Sequence, residues 1–124
     1  GVGPGASAAL LFALKDQYTS VTEMIKAFNQ EAVGVFGSGW TWLVYNTSHN
    51  SFEIVSTPNQ DSPLMEAGKV PLVVVDMWEH AYYLKHQNRR QLYLDDFWHL
   101  VDWKRVSERY NNAVEHLLDV RGEL

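Results

Sequence analysis

Cysteine is absent from the chain. That absence removes disulfides, thiolate metal ligands and cysteine nucleophiles together, and it is compatible with a reducing compartment. Long apolar runs are missing too: no stretch approaches the ~18 consecutive apolar residues of a membrane span. Basic charge is scarce. Ten Lys and Arg against fifteen Asp and Glu leave a net charge of −5, which argues against nucleic acid as a main partner. The opening "GVGPGASAALLFAL" has neither the basic n-region of a signal peptide nor an initiating Met. It reads as a Gly/Pro loop inside a longer protein, of which this chain is a carboxy-terminal piece. No internal repeat and no low-complexity tract is visible.

What is present is enough for one folded unit. The 124 residues suffice for a buried core, and 46% apolar with 13% aromatic residues places the chain among globular proteins. Ser7 is placed to cap a helix carrying Leu10, Leu11, Leu14 and Tyr18. "SVTE" (residues 20–23) matches a capping box and opens a second helix, with Val21, Ile25, Phe28 and Ala32 at helical spacing. "GVFGSG" (34–39) ends that helix. "WTWLVY" (40–45) and "FEIVS" (52–56) read as a hairpin joined by the turn formers "NTSHNS". "STPNQDSPL" reads as a loop, and "KVPLVVVD" as a strand apolar on both faces and central in the sheet. Tyr93, Phe97 and Val101 keep i, i+4 spacing, and Trp103, Val106, Tyr110, Val114 and Leu117 mark one side of a terminal helix. The layout predicts an α+β fold, a small three-stranded antiparallel sheet flanked by helices, as a single domain over residues 1–124.

The chemistry concentrates in "VVVDMWEHAYYLKHQNRR" (73–90). An unpaired buried carboxylate is costly, so Asp76, at the end of an apolar strand, calls for a basic side chain or a metal ion. His80 follows within the first turn of the next helix. Carboxylate oxygen with imidazole nitrogen is a ligand set for Mn, Fe or Zn. A structural reading stands beside it: Asp76 capping the helix, His80 satisfied by a hydrogen bond. Five tryptophans, Trp40, Trp42, Trp78, Trp98 and Trp103, are a heavy load for this length. Trp78 lies inside the motif, and tryptophan walls exclude water and sharpen electrostatics. Trp98 and Trp103 read as core filling. "GSG" (37–39) is a poor phosphate loop because a strand follows it, and "HQNRR" reads as a solvated basic helix face.

"DMWEHAYYLKHQNRR" followed by "FWHLVDW" resembles the signature region of the iron/manganese superoxide dismutases. "FGSGWTWLVYN" and "STPNQDSPL" resemble that family too, in the same order, so the similarity runs from about residue 5 to 110. The resemblance implies that Asp76 and His80 are the two carboxy-terminal metal ligands. It implies that Glu79 reaches across a homo-oligomer to the His80 of another subunit, and that Tyr83 stands at the substrate gateway. Trp40, Trp42 and Trp78 match pocket-lining aromatics. Gln60 matches a glutamine that hydrogen-bonds the metal-bound solvent in manganese-type members, so manganese is expected, with iron as the alternative.

The family's two remaining ligand histidines, and a tyrosine that stands behind the ligands, belong to an amino-terminal helical domain, which this sequence does not contain. His49, His86, His99 and His116 have no matching motif, so the fragment alone is expected to bind metal poorly and to be inactive. Asp102 stands where the family commonly has Asn, and His86 where it has an aromatic. The resemblance thus implies superoxide dismutation by a complete protein, with superoxide as substrate; the charge balance and the lack of long apolar runs lead to no expected nucleic-acid or membrane partner. The expected compartment is the mitochondrial matrix, with bacterial or other cytoplasm as the alternative. A second reading is a non-catalytic dismutase-like structural subunit of a larger assembly, such as a mitochondrial ribosome. A metal-dependent hydrolase is disfavoured by the tryptophan walls.

Overall fold

The computed structural model describes residues 5–35, 39–58, 68–77 and 90–122, with side chains up to residue 115. The first helix, α1 (Ala8–Tyr18), starts at its expected cap: the Ser7 hydroxyl accepts from the Leu10 amide at 3.2 Å. Leu10 and Leu14, one turn apart, are fully buried, with Leu11 and Tyr18 half-buried beside them. The second helix, α2 (Val21–Val33), opens on Ser20, whose hydroxyl accepts from the Glu23 amide at 3.1 Å. Its deepest apolar positions are Met24, Phe28 and Ala32, while Val21 and Ile25 are half-buried at the flank. The helix is therefore rotated slightly from the expected stripe, so that Met24 completes the i, i+4, i+8 row.

The hairpin forms as the sequence predicts. Strands β1 (Gly39–Asn46) and β2 (Ser51–Pro58) pair antiparallel, from Gly39 opposite Pro58 to Asn46 opposite Ser51. In the turn, the Asn46 side-chain oxygen accepts from the amides of Ser48 and His49 at 2.9 and 3.2 Å. Asn50 takes a φ of 51°, a left-handed conformation that asparagine tolerates.

The third strand, β3 (Lys69–Asp76), corrects the expectation for "KVPLVVVD". It pairs antiparallel on the far side of β1, giving the order β2-β1-β3, so β1 is central and β3 is an edge. Pro71 supplies the reason. The Gln17 carboxamide bonds both the N–H and the C=O of Phe52, each at 2.7 Å, so those groups point away from β1. Tyr45–Phe52 is then a non-hydrogen-bonded pair, and the neighbouring Val44 bonds towards β2. Val44 also stands opposite Pro71, whose nitrogen consequently faces the open edge, where a missing N–H costs no ladder bond. Nor is β3 buried on both faces. A register shift between Leu43 and Val44 leaves Leu72 as a bulge, Leu72 and Val73 both enter the core, and Val74 is 38% exposed.

Two more helices, α3 (Arg90–Leu100) and α4 (Trp103–Gly122), follow, and the Asp102 carboxylate accepts from the Arg105 amide at 3.3 Å to cap the second. Trp98 and Trp103 are core residues as expected: their rings stack at 5.9 Å, and Phe28 meets Trp98 edge-on at 5.0 Å. The Trp98 indole N–H donates to the buried Asn29 side-chain oxygen at 2.8 Å. Leu94 and Trp98 are the deep positions of α3, and Tyr93, Phe97 and Val101 pack at the margin of the core. On α4, Tyr110 stacks on Phe52 and meets Tyr45 edge-on. The result is an α+β fold: a three-stranded antiparallel sheet whose Leu43, Tyr45, Val73 and Val75 face is covered by the four described helices. No described helix is long and apolar enough to cross a membrane.

Candidate metal centre

Strand alternation sends Thr41 and Leu43 into the core and turns Trp40 and Trp42 to the other face of the sheet. The β1–β3 register then places Trp40 opposite Asp76 and Trp42 opposite Val74. Directly opposed residues share a face, so the Asp76 carboxylate and both indoles stand together at one end of the sheet. The two indole rings lie 6.4 Å apart and tilted by 42°, and the Trp42 N–H donates to the Thr57 hydroxyl at 2.9 Å. All of Trp40, Trp42 and Asp76 are half-buried.

The backbone around Asp76 is held from two sides. The Met77 amide donates to the Gly39 carbonyl at 2.8 Å, continuing the ladder past Asp76. From α3, the Tyr93 hydroxyl donates to the Asp76 main-chain oxygen at 3.0 Å. Burial first, and the Asp76 charge second, hold the Tyr93 phenol above its ordinary value, so it stays protonated and a donor at neutral pH. Gly39 has to be glycine for a local reason: a Cβ there would lie 2.6 Å from the Thr57 carbonyl oxygen. Neither role was legible in the sequence, where Tyr93 reads as one of a helical series and Gly39 as the end of a breaker segment.

At the other end of the same face, Glu53 pairs with Lys69 at 2.9 Å and accepts from the Asn46 amide at 3.1 Å. The Lys69 hydrogen bond, then that of Asn46, holds the Glu53 carboxyl below its usual range. A cleft of about 310 Å³ between α2 and β2, lined in part by Gln30, Glu31 and Ser56, includes none of the expected site residues.

Of those residues, the structure brings together Asp76, Trp40 and Trp42. Gln60, Trp78, Glu79, His80 and Tyr83 lie outside the described residues, as does His86. His49 and His99 are exposed, on the hairpin turn and on α3. Among the described residues no group of three His, Cys, Asp or Glu side chains is placed to hold a metal ion.

The model of the iron/manganese superoxide dismutases, C-terminal domain, matches residues 6–109, from the cap of α1 into α4. The chain belongs to this family. A dismutase of this family uses iron or manganese, and the donor chemistry of Asp76 suits either: a hard carboxylate oxygen at a strand end, on the same sheet face as two indoles. In the described part of this domain the strand register sets one carboxylate, Asp76, beside two indoles.

Proposed function

We propose that the complete protein containing this chain dismutates superoxide to oxygen and hydrogen peroxide. Asp76 and His80 hold the metal from this chain, and an amino-terminal helical domain contributes two further histidines. When bound, manganese, or alternatively iron, supplies the one-electron redox cycle that oxidises one superoxide and reduces a second. Trp40, Trp42 and Trp78 narrow the approach and exclude water. The Gln60 amide orients solvent at the site and thereby sets its proton affinity. Glu79 bonds the His80 imidazole of a second copy, and Tyr83 guards the entry, so the active form is a homo-oligomer.

The observation that carries this reading is the strand register that sets Asp76 opposite Trp40 in a chain matched to the dismutase family over 6–109. The test is Asp76→Asn in the complete protein, with metal content and superoxide turnover measured on the same samples. Loss of both, at unchanged circular dichroism, supports the assignment. Full stoichiometric metal in the variant sinks it. A structural subunit is the second reading, favoured by one feature: α4 runs on to Gly122, beyond residue 109 where the family match stops.

A further inference from the structure

We propose that Tyr93 is a positioning residue for the metal site, holding the Asp76 ligand through its backbone. The proposal rests on the reading of Asp76 given above.

The hydrogen-bond parity of the sheet explains why Asp76 needs such a holder. Thr41 bonds towards β3, so Thr41–Val75 is a hydrogen-bonded pair and Trp40–Asp76 is not. The Asp76 carbonyl therefore points away from β1, on the side of β3 where no described strand lies. The Tyr93 hydroxyl donates to that carbonyl at 3.0 Å from an element 17 residues further along the chain. On the other side, the Met77 amide fixes the next peptide to Gly39 at 2.8 Å. The strand end is thus held from β1 and from α3, and removing the phenol releases the hold from α3.

The grip is only as firm as α3 itself, and α3 is anchored. Arg90 lies three residues before Tyr93, on the same side of the helix. Its guanidinium donates to the carbonyl of Val33 at 3.0 Å and to that of Val35. Those oxygens close the C-terminal end of α2, where helical carbonyls lack partners and a cation suits the dipole. About two turns later Trp98 bonds Asn29, so α3 is tied twice to α2. The first turn of α3 therefore references the Asp76 backbone to the end of α2, just ahead of the strand carrying Trp40 and Trp42. Site geometry tolerates errors of only ~0.5 Å, so a loosened Asp76 backbone registers at the metal.

The test uses three variants of the complete protein: Tyr93→Phe, Tyr18→Phe as a half-buried tyrosine remote from Asp76, and Asp76→Asn. Mn(II) affinity is measured by competition with a chelator, the zero-field splitting of bound Mn(II) by electron paramagnetic resonance, and the thermal midpoint on metal-free protein. Tyr93→Phe is expected to weaken Mn(II) binding ~10-fold, the low end of the loss when a group hydrogen-bonded to a ligand residue is removed, and to alter the splitting. Tyr18→Phe should leave both unchanged, and the metal-free midpoints separate any general destabilisation from an effect at the site. Wild-type affinity and splitting in Tyr93→Phe, with binding abolished in Asp76→Asn, overturn the positioning role alone. Wild-type binding in Asp76→Asn overturns the ligand assignment, and the positioning role with it.

Discussion

The contact between Asn29 and Trp98 is the clearest place to test how the helical layer is held. The indole N–H donates to the Asn29 side-chain oxygen at 2.8 Å, and both residues are buried. Asn29→Ala removes the acceptor and leaves the N–H without that partner, beside Phe28 and Trp103. An unsatisfied buried donor costs about 1–3 kcal/mol, beyond the few contacts the carboxamide makes. Trp98→Phe costs more, because it also forfeits the stack on Trp103 at 5.9 Å and part of the edge contact with Phe28 at 5.0 Å. Once Phe stands at 98 there is no donor left to strand, so adding Asn29→Ala should then cost little. The coupling energy from urea unfolding of the metal-free protein, followed by far-ultraviolet circular dichroism, is therefore expected to be about 1 kcal/mol or more. Additivity within ~0.3–0.5 kcal/mol would refute the reasoning, because the hydrogen bond would then contribute nothing that the two residues do not contribute separately.

Two further outcomes follow from the sheet. The Glu53 carboxyl is held below its ordinary value of 4.5 by Lys69 and Asn46, so the folded state binds fewer protons than the unfolded chain in the window just below 4.5. Its contribution is complete above that value and is lost as pH falls through the lowered one; the acid arm of stability should flatten in Glu53→Gln, and an identical arm in wild type and variant would contradict this. Gln17→Ala should lose two half-buried hydrogen bonds to Phe52, about 1–2 kcal/mol, and open the β2 edge. Unfolding midpoints and light scattering read the two effects, and a variant as stable and as monodisperse as the parent would show that the edge needs no cover.

Local signals carried most of the architecture. Ser7 and Ser20 cap within three residues of themselves, and the turn of the hairpin is made by Asn46 and its immediate neighbours. Such interactions are written in short windows of sequence, which is why α1, α2 and the hairpin were legible. The order of the strands was not. A run of valines looks central, and the contrary sign, a proline in its middle, has meaning only once the hydrogen-bond parity of β1 is known. The same limit applies to the site. Asp76 and the two tryptophans were recognisable as residues, yet their meeting depends on a register between strands 36 positions apart, Trp40 with Asp76. The Tyr93 and Gln17 bonds join positions 17 and 35 residues apart, and no periodicity announces either.

The central claim is that Asp76 belongs to an occupied redox-metal site, and elemental analysis tests it most directly. Manganese and iron per chain should be counted across a sizing column on the complete protein from its native source. About one manganese, or one iron, per subunit in a defined oligomer is the predicted result. Metal-free protein eluting within a much larger assembly would contradict it, and would leave the strand-end aspartate and its tryptophans as inherited architecture in a structural subunit.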